Sequence, residues 1–259
     1  MKTQAPQHIQ NLIDRGALFV VNHSGGKDSQ AMMIRIRELV PASQILVIHA
    51  DLPGVEWKGT EEHARRYCEG LEFRTVRATK TFLEMVERRG MWPSSGTRQC
   101  TSDLKRGPIE KAIRGFIAEK GLSGLVVNCT GIRAQESTSR AKQEPFRFDE
   151  RNSKAGREWY NWMPIFFWSI DQVKAISAAG QELHWAYSKG MSRLSCCFCI
   201  MASKGDLQIS ARENPELFQQ ILAMEKKIGA TMFAVKGKPV SLDQYMMYAG
   251  QKAAKTCAA

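Results

Sequence analysis

The stretch Ser24-Gly25-Gly26-Lys27-Asp28-Ser29 decides the fold of this chain. It directly follows the apolar run Ala17–Val21 and precedes the helical pattern Gln30–Leu39. A strand, a glycine turn and a helix start in this order direct backbone N–H groups and the helix dipole at one spot, which favours a bound phosphate. The glycines permit close backbone approach, the lysine adds a cation, and the two serines add hydroxyl donors. The stretch therefore predicts a phosphate-binding loop at the end of a strand.

The alternation of strand and helix patterns continues along the chain. Four runs rich in β-branched residues predict strands at Leu18–Val21, Ile45–Ile48, Phe73–Val76 and Leu125–Val127. Helical patterns fall between them or after them, at Gln30–Leu39, Thr60–Glu69, Thr81–Arg89 and Leu104–Glu119. This alternation predicts an α/β fold with a doubly wound, mainly parallel sheet and helices on both faces. Ligands of such sheets bind at the carboxyl ends of the strands, so three loops should converge there: Asn22–Ser29, His49–Glu56 and Asn128–Arg140.

The predicted nucleotide-binding domain covers residues 1–165. A small helical region that carries several cysteines covers residues 166–259 and is expected to pack on the same domain. Ser169 should cap a helix that runs to Ala179, and Asn214-Pro215-Glu216 should open a helix that ends at Gly229. The polar stretch Ser137–Glu158 is predicted to be a loop, either an active-site lid, a nucleic-acid-facing segment or simply a solvated connection.

The charge balance points to an anionic partner. The 259 residues carry a formal net charge of +11, which attracts polyanions such as DNA, although it equally suits small nucleotide substrates. No apolar run reaches transmembrane length, and the first residues lack a secretory signal. We therefore expect a cytoplasmic protein with no membrane partner.

A second nucleotide motif follows the fourth predicted strand. It reads Gly131-Ile132-Arg133-Ala134-Gln135-Glu136-Ser137, with Arg140 just beyond it. Gly131 permits a turn, Arg133 and Arg140 can bind phosphate in a bidentate manner, and Glu136 can orient an arginine or a ribose. Alone, such an Arg/Glu pair is typical of a surface salt bridge. Its occurrence together with the first loop indicates a nucleotide site.

Cysteine usage indicates metal, redox or catalytic chemistry in such a chain. Cys196 and Cys199 have the spacing of a tetrahedral metal centre or an iron–sulfur cluster, and Cys100 stands near a predicted helix start that should stabilise its thiolate. A protein-held cluster needs a fourth ligand, for which Cys197 and Cys129 are the candidates. Zinc and inert buried thiols remain open alternatives. The poorer candidates are Cys68, on a predicted helix, and Cys257, near the C-terminus.

The two loops together resemble known motifs. Ser24–Ser29 resembles the PP-loop of ATP pyrophosphatases, and Gly131–Ser137 with Arg140 resembles the second nucleotide motif of the phosphoadenosine phosphosulfate reductase superfamily. His49-Ala50-Asp51 is similar to that superfamily's loop near adenine and ribose. The resemblance covers most of residues 16–230 and implies an adenine nucleotide α-hydrolase-like fold that binds ATP and Mg²⁺. It implies nucleotide contacts for Ser24, Gly25, Gly26, Lys27, Asp28, Ser29, Asp51, Gly131, Arg133, Glu136 and Ser137, and catalytic roles for Lys27, Asp28, Cys100, Arg133 and Arg140.

The cysteine pattern separates this chain from the reductases of that superfamily. It lacks the C-terminal Glu-Cys-Gly-[Ile/Leu]-His motif of one class, and Cys100 is single where the cluster-bearing class has a tandem pair. The segment Ser195–Leu207 with Asn214–Leu217 resembles DNA phosphorothioation ATP pyrophosphatases (DndC- or SspD-like) instead. That resemblance implies ATP-driven activation of a DNA backbone phosphate, sulfur from a cysteine desulfurase, further modification-system proteins and a 4Fe–4S cluster. A sulfonucleotide reductase that releases sulfite and a nucleotide-gated binding module are the alternatives.

Overall fold

The computed structural model describes residues 5–178 and 180–247. In chain order the helices are α1 Gln7–Asp14, α2 Lys27–Leu39, α3 Thr60–Arg66, α4 Phe82–Arg89, α5 Gln99–Thr101, α6 Gly107–Lys120, α7 Thr138–Ala141, α8 Ile170–Ala178, α9 Lys204–Glu213, α10 Pro215–Ile228 and α11 Leu242–Met247. The strands are β1 Leu18–Asn22, β2 Ile45–Ala50, β3 Glu72–Val76, β4 Leu125–Cys129, β5 Phe146–Phe148, β6 Glu158–Trp162, β7 Phe233–Val235 and β8 Lys238–Val240. A π-helical turn, Ser102–Arg106, joins α5 to α6.

Six strands form the central sheet in the order β3-β2-β1-β4-β6-β5. All neighbours pair in parallel except β5, which lies antiparallel at the edge. The four predicted strands are therefore confirmed. The prediction of a loop over Ser137–Glu158 is wrong in part, because this stretch contains α7 and β5. Phe146 in β5 stacks on Tyr160 in β6, so this edge strand depends on a partner that local sequence patterns do not reveal.

The sheet is covered on both faces, which confirms the doubly wound architecture. Phe19 and Val21 of β1 belong to one core, in which they pack with Met32 of α2. The alternate residues Leu18 and Val20 belong to a second core, together with side chains of α6 such as Ile113, Phe116 and Ile117. This division follows from the pleat of a strand, in which successive side chains point to opposite faces.

The chain forms two compact units, and each unit combines separated segments. The first comprises residues 1–51, 59–76 and 108–184, and the second comprises residues 52–58, 77–107 and 185–259. In the second unit Trp57 and Leu104 share a hydrophobic core with Leu207 and Ile221, which explains why the earlier segments group with the C-terminal ones. The division expected from the sequence is a single one, between residues 1–165 and 166–259, and it stays a prediction.

Helix boundaries follow the predicted signals with one exception. Ser169 Oγ accepts the Gln172 N–H at the start of α8, and Gly229, with φ 66°, ends α10. The predicted end of α8 at Ala179 lies outside the described residues. The prediction that Cys68 lies on a helix is wrong, because α3 ends at Arg66 and the chain turns through Gly70 into β3. Within the described ranges no helix has both the length and the apolar character needed to cross a bilayer.

Candidate functional site

The loop after β1 has the backbone of a phosphate-binding turn. Gly25 adopts φ 74°, which is open to glycine at little cost, and Gly26 has extended backbone angles and caps α2. Ser29 Oγ donates to Gly26 O at 2.8 Å and accepts the Ser24 N–H at 3.2 Å. The loop is thus closed by its own last serine at the positive end of the α2 dipole, where an anion is favoured.

Lys27 and Asp28 form the first turn of α2. Lys27 is buried, and its Nζ lies 3.7 Å from Asp28 Oδ2. Because a buried ammonium group is stabilised by nearby anions, this position suits contact with the phosphates of a nucleotide. Asp51 follows β2, the strand that pairs with β1, and its backbone N–H bonds to Val76 O at 3.0 Å.

Two histidines lie behind the loop: His23, which was not predicted as a site residue, and His49 of the motif after β2. His23, 1% exposed, accepts the Gly25 N–H on Nδ1 at 3.1 Å, while His49 Nδ1 lies 2.8 Å from His23 O. Burial and then the neighbouring His49 and His63 lower the pKa of His23 to about 3. His23 is therefore neutral at physiological pH and can accept this bond. The signal in the sequence that could have revealed His23 is its position, as a polar residue between an apolar strand and a glycine loop.

The second motif meets the first at the point where the strand order reverses. Strand β1 lies between β2 and β4, and ligands of open α/β sheets bind at such a switch point. A Cβ added to Gly131 would lie 2.9 Å from Asp28 O and 3.0 Å from Asp28 C. Gly131 is therefore required by the close approach of two backbones, and the predicted reason, a turn, is only part of its role.

Arg133 joins the two motifs through hydrogen bonds. Its side chain is 5% exposed, and its Nε donates to Asp28 Oδ1 at 2.7 Å. Its Nη1 donates to Gln135 Oε1 at 3.2 Å and to Trp168 O at 3.3 Å. The guanidinium thus fixes the position of Asp28 in the first motif, and direct contact of Arg133 with phosphate stays a prediction.

The remaining residues of the second motif organise its backbone. Glu136 Oε2 accepts the Arg133 N–H at 2.8 Å, and the same carboxylate pairs with Arg140. Ser137 caps α7 by accepting the Arg140 N–H at 3.2 Å. Glu136 thus orients an arginine, and the Arg140 side chain remains partly accessible, 27% exposed.

The second unit brings three of the predicted metal ligands together. The thiol groups of Cys100, Cys196 and Cys199 interact electrostatically, and Lys105 lies among them. The neighbouring Cys196 has the largest effect on Lys105 and raises its pKa. Burial lowers the pKa of Lys105, but Cys199 and then Glu56 raise it further, so the net pKa lies above its ordinary value. The cluster therefore combines three sulfur donors with one cation, which offsets negative charge gathered there.

Burial disfavours the thiolate of Cys100, contrary to the expectation for this residue. Cys100 does lie in the first turn of a helix, α5, but burial raises its pKa and the opposing effect of Lys105 is smaller. Burial also raises the pKa of Cys196 to about 11. At both residues desolvation outweighs the attraction of Lys105, and a bound metal would favour their thiolate forms.

The fourth ligand, for which Cys197 and Cys129 are the candidates, stays a prediction. Cys197 is buried, its N–H bonds to Val55 O at 2.8 Å, and burial raises its pKa to about 12. Cys129 belongs to a core of the first unit, where burial alone raises its pKa. Cys68 is likewise buried in that core, and Cys257 lies outside the described residues.

The spacing of the sulfur atoms tests which metal group fits. Tetrahedral zinc with Zn–S bonds of about 2.3 Å requires sulfur atoms about 3.8 Å apart. In the described part of the chain, no three thiols have sulfur atoms all within 4.8 Å of one another. Three sulfur donors beside the Lys105 cation suit an anionic iron–sulfur cluster, and the cluster held by Cys100, Cys196 and Cys199, like the alternative of zinc, stays a prediction.

Asp206 fixes both ends of the segment 192–203, which carries Cys196, Cys197 and Cys199, and it was not predicted as a site residue. This buried carboxylate accepts the Ser192 N–H at 2.7 Å and the Ser192 and Ser203 hydroxyls at 2.7 and 2.9 Å. Burial raises the pKa of Asp206, but these hydrogen bonds outweigh it and hold the pKa below its ordinary value. The pattern Ser203-Lys204-Gly205-Asp206 is a capping signature, which was the signal available in the sequence.

Known proteins resemble this chain at moderate identity. An uncharacterized 37.8 kDa protein of Escherichia phage 186 is 28% identical over 172 residues, 66% of this chain and 49% of that protein. An uncharacterized protein of Methanocaldococcus jannaschii is 28% identical over 204 residues, 78% of this chain and 40% of that protein. The chain thus spans about half the length of these curated relatives, or less.

Two solved structures match this chain at low identity. The phosphate complex of phosphoadenylyl-sulfate reductase from Candida auris is 15% identical, with a TM-score of 0.45, and the match covers 75% of this chain and 96% of that one. The FMN adenylyltransferase of Candida glabrata is 12% identical, with a TM-score of 0.43 and coverage of 73% and 62%. The model of the phosphoadenosine phosphosulfate reductase domain matches residues 19–202, well over half of the chain. By this match, the chain belongs to the phosphoadenosine phosphosulfate reductase domain family.

Proposed function

We propose that this protein is an ATP pyrophosphatase that adenylates a DNA backbone phosphate for sulfur insertion. The observation that carries the nucleotide half of this proposal is the bond from Arg133 to Asp28, which joins the two motifs at the switch point of the sheet. The net charge of +11 supports a polyanionic acceptor.

In this mechanism the Ser24–Ser29 loop and Lys27 bind the phosphates of ATP, with which Mg²⁺ enters. Arg133 keeps Asp28 in place, and Arg140 stabilises charge on the phosphate that is attacked. A DNA phosphate oxygen attacks the α-phosphorus, a P–O bond forms, and pyrophosphate leaves with the electron pair of the broken bond. A cysteine desulfurase delivers sulfur as a persulfide, R–S–S⁻, whose outer sulfur attacks the activated phosphorus, so that a P–S bond forms and AMP leaves with the electron pair of the broken P–O bond. A thiol reductant, which the proposal requires, then breaks the S–S bond by thiol–disulfide exchange and leaves the phosphorothioate on the DNA.

The cysteine cluster is the proposed sulfur centre. An iron–sulfur cluster bound by Cys100, Cys196 and Cys199 would supply reduced sulfur or electrons at that place. Lys105 offsets the charge of the thiolates, and Asp206 keeps the loop that carries Cys196 and Cys199 in one conformation. Replacement of Cys196 by Ser should lower the iron content of anaerobically purified protein, whereas Cys68→Ser should not.

Pyrophosphate release from ATP in the presence of DNA tests the proposal. Lys27→Ala should abolish release, because it removes the cation from the phosphate loop, while the exposed Lys111→Ala serves as the matched control. Mass spectrometry of digested DNA then reports phosphorothioate linkages. Release of sulfite from a sulfonucleotide without pyrophosphate release from ATP would show a reductase and contradict the proposal.

A further inference from the structure

One aromatic side chain in the segment after β6 is left without a place in any core. Trp162 and Phe166 are buried, and Trp168 packs partly against the first core. Phe167, in contrast, is 81% exposed. Its contact with the Phe166 ring is T-shaped, with ring centroids 5.0 Å apart and an interplanar angle of 85°. Among the described residues no ring stacks in parallel on Phe167.

The exposure of Phe167 does not result from a loosely held loop. Phe166 O, on one side, accepts the Ala134 N–H at 2.8 Å. Trp168 O, on the other side, accepts from Arg133 Nη1 at 3.3 Å, and the Trp168 N–H donates to Ile165 O at 3.0 Å. Hydrogen bonds therefore fix the backbone of Phe166 and Trp168, and the apolar ring of Phe167 between them is exposed to solvent.

The second nucleotide motif supplies these anchors. The guanidinium of Arg133 spans from Trp168 O to the Asp28 carboxylate, which it reaches at 2.7 Å. The backbone of Phe167 therefore lies on the order of 10 Å from that carboxylate. An exposed ring carried on a backbone this near to Asp28, in a chain of net charge +11, suits contact with a polyanion that carries aromatic groups.

We propose that Phe167 is a stacking platform for a base of single-stranded nucleic acid. This inference rests on the proposed function, in which a backbone phosphate must approach the nucleotide motifs. Stacking on an aromatic side chain tolerates any base, because every base has a π-face. A ring this open offers a surface for a base carried on a strand, whereas a free nucleotide would more readily bind in an enclosed pocket.

Binding of a labelled single-stranded oligonucleotide tests the platform. Phe167→Ala should weaken binding about 5- to 150-fold, the loss expected for one stacked base, and Phe167→Trp should bind at least as tightly as the unmodified protein. The matched control is Phe148→Ala, since Phe148 is also an exposed phenylalanine, 49% exposed, on the edge strand β5. The control should leave the affinity unchanged.

An oligonucleotide of the same length made of abasic sites separates stacking from charge. All variants should bind it equally, because it retains the phosphates and lacks the bases. If Phe167→Ala lost affinity equally for both oligonucleotides, or for neither, the inference would be overturned. Weaker binding of ATP, with unchanged binding of the oligonucleotide, would assign the ring to the nucleotide base and would overturn it as well. Pyrophosphate release by the unmodified protein is measured in parallel, so that failure of the proposed function is seen separately.

Discussion

Replacement of Gly131 by Ala tests whether the two nucleotide motifs must touch. The added Cβ would lie 2.9 Å from Asp28 O, 0.5 Å inside the 3.4 Å at which ordinary contact begins, and 3.2 Å from Ser29 N. Both neighbours are backbone atoms of the first motif, so no side-chain rotation relieves the overlap. Overpacking of this kind costs about 1–3 kcal/mol, and the lower entropy of the unfolded Ala variant offsets about 0.4–1 kcal/mol.

The expected net loss is therefore about 1–2 kcal/mol. It should appear as a lower free energy of unfolding in urea, or, where the loop shifts to relieve the overlap, as about 5- to 30-fold weaker ATP binding by calorimetry. Gly115→Ala is the control, because Gly115 lies exposed within α6 and its added Cβ meets nothing within 4 Å. This control should gain roughly 0.5–1 kcal/mol. If Gly131→Ala matches Gly115→Ala in stability and binds ATP normally, the reasoning is refuted.

Three further predictions concern His23 behind the phosphate loop, Asp206 near the cysteines and Thr81 at a helix start. The pKa of His23 falls to about 3 on folding, so the unfolded state binds one more proton, and the free energy of unfolding should decrease as pH falls from 6.5 towards 3. His23→Asn should flatten this pH dependence by up to about 1.4 kcal/mol per pH unit, as measured by urea titrations at several pH values. An unchanged pH dependence would contradict the assignment. Asp206→Ala should destabilise the protein by about 2–4 kcal/mol, because the Ser192 N–H loses its charged acceptor, and a loss under about 0.5 kcal/mol would show that water replaces it. Thr81→Ala removes the capping box with Glu84 at the start of α4 and should cost about 0.5–2 kcal/mol in thermal unfolding, with no change in ATP affinity.

Local patterns predicted much of the first unit. Strands β1, β2 and β4 were foreseen because each is a short apolar run bounded by polar residues, and such runs depend little on their partners. Strands β5 and β6 were not foreseen, because both depend on partners distant in sequence: β6 pairs with β4, and the β5 phenylalanines contact Tyr160 of β6. Helix ends at Ser169 and Gly229 were predictable since a cap involves residues within one turn.

The sequence alone predicted a nucleotide site and a sulfur centre, through Ser24–Ser29, the Arg133 motif and the cysteine spacing. The contacts that these residues make depend on the tertiary structure. Arg133 meets Asp28 across 105 residues of chain, and Cys100 joins Cys196 and Cys199 while Cys129 is buried in the other unit. Periodicity and capping depend on residues within a few positions of one another. A site is assembled by the packing of distant segments, and the burial that this packing produces shifts the pKa values of its thiols and charged groups.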